Sequence, residues 1–179
     1  MRLCWRSMTL PVMCWSGMWI RCWLPCGASV PLMNNSSYEE QLRLHGQLVY
    51  TNVGNSMMPL LRQRKDLIVI DRKGENRLKK YDVILYRRPT GQYVLHRILK
   101  VRKDDYKLCG DNQWEPEFGV KDEWILGVMT AFVRDGKETP VTDKWYRCYV
   151  HLWCDFYYIR AGILIIRDLP RILKRKFGR

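Results

Sequence analysis

At 179 residues, with 27% charged and 47% apolar side chains, the chain suits one domain with appendages and is not disordered in composition. A formal charge of +13 favours anionic partners, phospholipid headgroups or nucleic acid, without choosing between them. The seven cysteines are odd in number and lack the paired CxxC spacing of a zinc site, so they read as mostly reduced thiols, which suits a cytosolic side for much of the chain.

The N-terminal extension, residues 1–32, differs from the rest of the chain. It holds four of the seven cysteines and four of the eight tryptophans, and no acidic residue. Three readings stay open. Arg2 and Arg6 suit the start of a signal peptide, but Pro11, Gly17 and Arg21 interrupt its apolar region. Arg21, Pro11 and Pro25 argue against a membrane span, which needs about 20 apolar residues. The Cys/Trp excess has neither helical nor alternating period, as expected if translation begins at Met33. Residues 33–46 then behave regularly. Ser37-Tyr38-Glu39-Glu40 is a capping box that predicts a short helix over 38–45, stopped by Gly46.

Residues 47–140 read as a β domain. Strands are predicted at Gln47–Val53, Leu67–Asp71, Asp82–Arg87 and Tyr93–Val101, rich in Val, Ile, Leu and Tyr and bounded by Gly, Asn, Pro or charged clusters. Pro89-Thr90-Gly91-Gln92 supplies a hairpin turn between the third and the fourth. Tyr106–Cys109 and Trp124–Arg134 continue the series, with a turn at Gly110-Asp111-Asn112. Short strands at this density predict a mainly β fold, a compact β-barrel or coiled sheet, and not a βαβ architecture.

The tail, residues 141–179, changes character. Tyr146, Tyr149, Val150, Trp153, Phe156 and Tyr157 recur at helical spacings of three and four, and Pro170 is expected to break the run before a basic end. Arg147, Asp155, Arg160 and Arg167 interrupt any stretch long enough to span a membrane. Two roles remain for such an amphipathic helix, on different faces: packing against the β domain, or lying on an anionic membrane surface. The second makes the protein peripherally membrane-associated, with a cytoplasmic location as the alternative.

GNSMMPLL, residues 54–61, places Ser56 between a Gly-Asn turn and an apolar run. A serine hydroxyl attacks a carbonyl only with a base to take its proton and donors to hold the oxyanion. The chain has three histidines. His45 ends a polar helix and His151 lies in the aromatic tail, whereas His96 lies inside a strand, where a base keeps its aim. Taken singly, a Ser after Gly-Asn is usually a turn residue, and a strand His usually a structural one.

Five short boxes in order give these residues a context: G-x-S-M-x-P-L-L at Gly54–Leu61, D-L-I-V-I at Asp66–Ile70, Y-D-V-I-L-Y at Tyr81–Tyr86, V-L-H-R-I at Val94–Ile98 and L-C-G-D-N at Leu108–Asn112. Over roughly residues 47–134 the chain resembles type I signal peptidases, serine peptidases grouped with the SOS-repressor autoproteases. The resemblance implies Ser56 as nucleophile and His96, where most bacterial members carry lysine, as general base, as in the endoplasmic-reticulum and archaeal subtype. It implies that Asp111 orients the imidazole or supports the site. Met57, Met58 and Leu60 are expected to form an apolar floor for small substrate residues, and backbone N–H groups around Ser56 to hold the oxyanion. No cofactor and no metal is called for. The expected partner is a signal or leader peptide, or a preprotein, cleaved through an acyl-enzyme.

The chain departs from the family in one box. Tyr81-Asp82 stands where the family usually has Gly-Asp. A basic nucleic-acid-binding protein and a non-catalytic membrane-associated module are the alternatives on the same fold. Against the first, Trp and Tyr are not interleaved along basic strands as a stacking platform would require, so no specific nucleic acid is expected. An autoproteolytic regulator would need a helix-turn-helix that residues 33–46 are too short to supply.

Overall fold

The computed structural model describes residues 37–177, those after Pro170 as helix backbone with the Leu173 side chain, and an antiparallel strand pair before them, β1 (Val12–Met13) and β2 (Trp19–Ile20). The remainder of the extension, and with it the signal-peptide, membrane-span and Met33-start readings, lies outside the described residues.

Helix α1 (Tyr38–His45) starts where its capping box is written: the Ser37 hydroxyl accepts the Glu40 N–H at 3.3 Å. It stops at Gly46, whose φ of 69° no β-carbon hinders and whose N–H caps the Leu42 carbonyl at 3.0 Å. Eight strands follow: β3 (Gln47–Thr51), β4 (Leu67–Arg72), β5 (Val83–Arg87), β6 (Tyr93–Val101), β7 (Tyr106–Cys109), β8 (Glu117–Val120), β9 (Ile125–Arg134) and β10 (Lys137–Pro140). They pair antiparallel in the order β3-β4-β9-β5-β6-β7-β8, with β10 on β9. β8 and β10 lie outside the predicted strands.

The protein is therefore mainly antiparallel sheet with three helices. The sheet is open, so of the compact β-barrel or coiled sheet expected, the barrel is corrected. Closure would require a ladder between β3 and β8; instead one apolar face is covered by Leu42 of α1, by Met57, Leu60 and Leu61 of the loop before β4, and by the tail. Strand β5 shows how the sheet serves two cores. Its alternation sends Val83 and Leu85 into that cluster, and Ile84 and Tyr86 into a second one with Ile98, Tyr106, Leu108, Val120 and Ile125. Each such fully buried side chain stabilises the fold by roughly 2 kcal/mol.

Asp66 ties the loop to the sheet. Fully buried, its carboxylate accepts from the Arg62 backbone N–H and Nε at 2.9 Å each and from Arg134 Nη2 at 2.6 Å. Burial alone would raise its pKa; the two guanidiniums and the N–H outweigh that and hold it below the usual range.

The tail forms α2 (Lys144–Asp155) and α3 (Tyr157–Phe177). Asp143 caps α2, accepting from the Trp145 and Tyr146 N–H groups at 2.8 and 3.1 Å. Tyr146, Val150, Cys154, Arg160 and Leu164 turn inward and are buried. Pro170 lies within α3 and does not end it, contrary to expectation. Proline lacks one N–H, so a single backbone bond is lost there while the helix continues. Among the described residues no helix is long and apolar enough to cross a membrane.

Candidate active site

Ser56 sits at the tip of a loop closed by Asn52, whose side chain accepts the Gly54 N–H at 3.2 Å and donates to the Gly54 carbonyl at 2.8 Å. The loop runs on through the cis Met58–Pro59 peptide, and Leu61 N–H bonds the Met57 carbonyl at 2.9 Å. The Gly110-Asp111-Asn112 turn grips it from the other side. Asn112 N–H donates to the Ser56 carbonyl at 2.7 Å, and Asn112 Nδ2 to the Asn55 carbonyl at 3.1 Å. Contact is so close that a β-carbon on Gly110 would lie 2.6 Å from the Ser56 carbonyl oxygen, a separation only glycine permits.

His96 projects from the middle of β6, cross-strand from Ile84. Ser56 and His96 both line one cavity of about 660 Å³, with Tyr50, Asn52, Leu85 and Leu95 among its other walls. A second cavity of about 430 Å³ shares His96, Arg88 and Gln113 with the first and adds Asn112, Trp114 and Glu117. His96 thus belongs to the lining of both adjoining cavities.

The imidazole is 4% exposed, and that burial pushes its pKa down to about 4, opposed by the nearby Glu117 carboxylate and helped by the Arg88 guanidinium. It is neutral at pH 7. The Tyr86 hydroxyl lies 3.3 Å from Nδ1 and donates to Glu117 Oε2 at 2.7 Å. Glu117 Oε2 itself is 3.8 Å from Nδ1. Burial would raise the Glu117 pKa, but the bonds from Arg88 and Tyr86 outweigh it and keep the carboxyl below its ordinary value. Arg88 grips both Glu117 oxygens, through Nε on Oε1 at 2.9 Å and Nη2 on Oε2.

Asp111 stands elsewhere. Its carboxylate pairs with Arg97 through two bonds, 2.9 Å from Nε and 2.7 Å from Nη2, and accepts from the Tyr149 hydroxyl at 3.2 Å. Of the two roles expected of Asp111, orienting the imidazole or supporting the site, its bonds fit the second: they go to Arg97 and Tyr149 and none goes to His96. Consecutive strand residues face opposite ways, so Arg97 points into the core holding Tyr146 while His96 faces Tyr86. Asp111 instead links the two halves of the site, bonded to the strand of His96 on one side and one residue from the clamp on Ser56 on the other. The tail braces this turn: Trp153 Nε1 donates to the Asp111 carbonyl at 2.8 Å, and Arg167 Nη1 to Asn112 Oδ1 at 2.7 Å.

The apolar floor is also differently made. Met57 and Leu60 belong to the buried core beneath the loop, and Met58 is turned to solvent, so none of the three lines the cavity. Packing explains it: the loop anchors itself through these side chains, and the cavity takes its apolar walls from β5 and β6. Sequence reading missed Tyr86, Arg88 and Glu117. Tyr86 had a signal, since strand alternation from β5 to β6 puts it on the His96 face; Glu117 had none, lying at the start of a four-residue strand interrupted by Gly119.

Among the described residues no group of three or more His, Cys, Asp or Glu side chains is placed to hold a metal. Compared with protein-family models and with curated proteins, the chain matches none.

Proposed function

We propose that the protein is a serine endopeptidase resembling type I signal peptidases, acting on signal or leader peptides with Ser56 as nucleophile and His96 as general base. The observation that carries this reading is the shared cavity: two residues far apart in sequence, one on a loop tip and one on a central strand, both belong to its lining. In the reaction Ser56 Oγ attacks the scissile carbonyl as its proton passes to the free nitrogen of His96. The tetrahedral oxyanion collapses to an acyl-enzyme, the imidazolium protonates the departing amine, and water repeats the sequence to release the acid. The imidazole is unprotonated at neutral pH and so has a lone pair for that proton, while its depressed pKa makes it a weaker base than an ordinary histidine.

A detail of the backbone adds support. Tyr81 occupies the position where the family usually has glycine, and its φ is 82°, in the region glycine favours. Tyrosine is held there by its own bonds: Arg97 Nη1 donates to its carbonyl at 2.9 Å and its hydroxyl donates to Asp155 at 2.5 Å. The turn geometry suited to the family's glycine is thus kept under a different side chain.

Ser56→Ala and His96→Ala are each expected to lower cleavage of a signal-peptide-like substrate by at least roughly 10³-fold while leaving the circular dichroism spectrum unchanged. Parental rates in either variant would remove that residue from the reaction, and a parent that cuts no peptide would leave the non-catalytic module as the better description. The partner side of the reading is a peripheral site on an anionic membrane, favoured by the apolar side chains Leu152, Phe156, Ile159, Ile163 and Ile166, all exposed and spaced at threes and fours along α2 and α3.

A further inference from the structure

We propose that Glu117, acting through the Tyr86 hydroxyl, is the positioning acid of His96, in the place a directly bonded aspartate holds in other serine hydrolases. This role presupposes that His96 is the base for Ser56. The proton count on three atoms carries it. The Tyr86 hydroxyl has one proton, and the shorter of its two contacts, 2.7 Å, runs to a carboxylate oxygen. A proton given to Glu117 leaves only lone pairs toward the imidazole, so Nδ1, 3.3 Å away, must supply the hydrogen of that contact. Nδ1–H fixes the tautomer and leaves Nε2 unprotonated, free to take the serine proton. Once Nε2 is protonated the ring is a cation, and the carboxylate 3.8 Å from Nδ1 stabilises it across a buried gap.

The groups around the ring support the same assignment. Tyr86 is fully buried, so its hydroxyl has no solvent alternative to these partners. The Arg88 guanidinium and the Tyr86 hydroxyl keep Glu117 ionised, hence an acceptor and not a donor. Asp111, the other carboxylate acting on His96, is bonded to Arg97 and Tyr149. Glu117 is therefore the acid with a bonded path to the imidazole.

The test reads the ring directly. In ¹⁵N-histidine-labelled protein carrying Ser56→Ala, the His96 ring shifts are expected to report the Nδ1–H tautomer. Tyr86→Phe, which keeps the ring in the core, should turn that signal into a tautomer mixture. Glu117→Gln, close in size and shape, should lower the His96 pKa further by removing the negative charge that opposes burial. In the active background both variants should lose on the order of 10²-fold in kcat with KM little changed. Glu117→Asp should restore part of the loss if charge, and not bulk, is what matters. An Nε2–H tautomer in the parent, or a His96 tautomer and pKa unmoved by both variants, would overturn the assignment. A protein that cuts no peptide yet shows these ring responses would keep the assignment and sink only the peptidase reading.

Discussion

Asp111 joins two parts of the site that the chain keeps apart, and it does so as half of a fully buried ion pair with Arg97. Removing one charge from such a pair leaves the other desolvated and unmatched, which costs far more than the intact pair contributes. Asp111→Asn is thus expected to lower stability by roughly 3 kcal/mol, read from urea denaturation, and to lower kcat only modestly in molecules that remain folded. Unchanged stability with abolished cleavage would instead make Asp111 a group acting on the reaction itself. The residue was legible in the sequence as important, but its role was not. Adjacent strand residues face opposite sides, so one carboxylate bonded to Arg97 is not available to His96 in direct contact, and nothing in the linear spacing says which of the two it meets. Glu117 was invisible for another reason: it opens a strand of only four residues containing Gly119 at a φ of 75°, too short and too weakened by glycine to read as a strand.

Elements with a strong local code were the legible ones. The capping box and Gly46 fixed α1, and the Val/Ile/Leu runs fixed six strands, while β8 and β10 form through pairing with β7 and β9 that four-residue segments carrying Gly119 or Pro140 do not advertise. The tail was legible as helical and amphipathic, yet its inner face does more than cover the sheet. Tyr146, Tyr149, Trp153 and Arg167 each bond to Arg97 or to the Asp111–Asn112 turn, so whatever holds the tail also holds the clamp on Ser56. Its outer face presents Ile159, Ile163 and Ile166 to solvent in a sequence rich in Lys and Arg. The full chain is expected to co-sediment with vesicles containing anionic phosphatidylglycerol and weakly with phosphatidylcholine alone, and 0.5 M salt should reduce binding. Ile163→Glu with Ile166→Glu should abolish binding without changing the melting temperature. If the parent ignores both vesicle types and elutes as a dimer that these substitutions dissociate, the face is an interface between copies.

For the molecule as a whole, the buried charges predict how it responds to acid. His96 is held neutral in the fold down to about pH 4, whereas in the unfolded chain it takes a proton near its ordinary value of 6.5. Between those two values the unfolded state binds more protons, so stability falls as pH falls through that window. The difference amounts to at most roughly 3 kcal/mol, fully present above the window and lost below it. Asp66 and Glu117 act later. Their pKa values lie below the usual carboxylate range in the fold, so they stabilise it at neutral pH and lose that contribution only as pH falls past ordinary carboxylate values. Meanwhile a chain that starts at +13 gains positive charge with each protonation, and self-repulsion adds to the loss. Urea denaturation at a series of pH values is therefore expected to show two descending limbs, an upper one between about 6.5 and 4 and a lower one beneath it. His96→Asn removes the titrating ring and should flatten the upper limb while leaving the lower. Parallel curves for parent and variant across the upper window would mean that His96 is solvated in solution and titrates as it does in the unfolded chain.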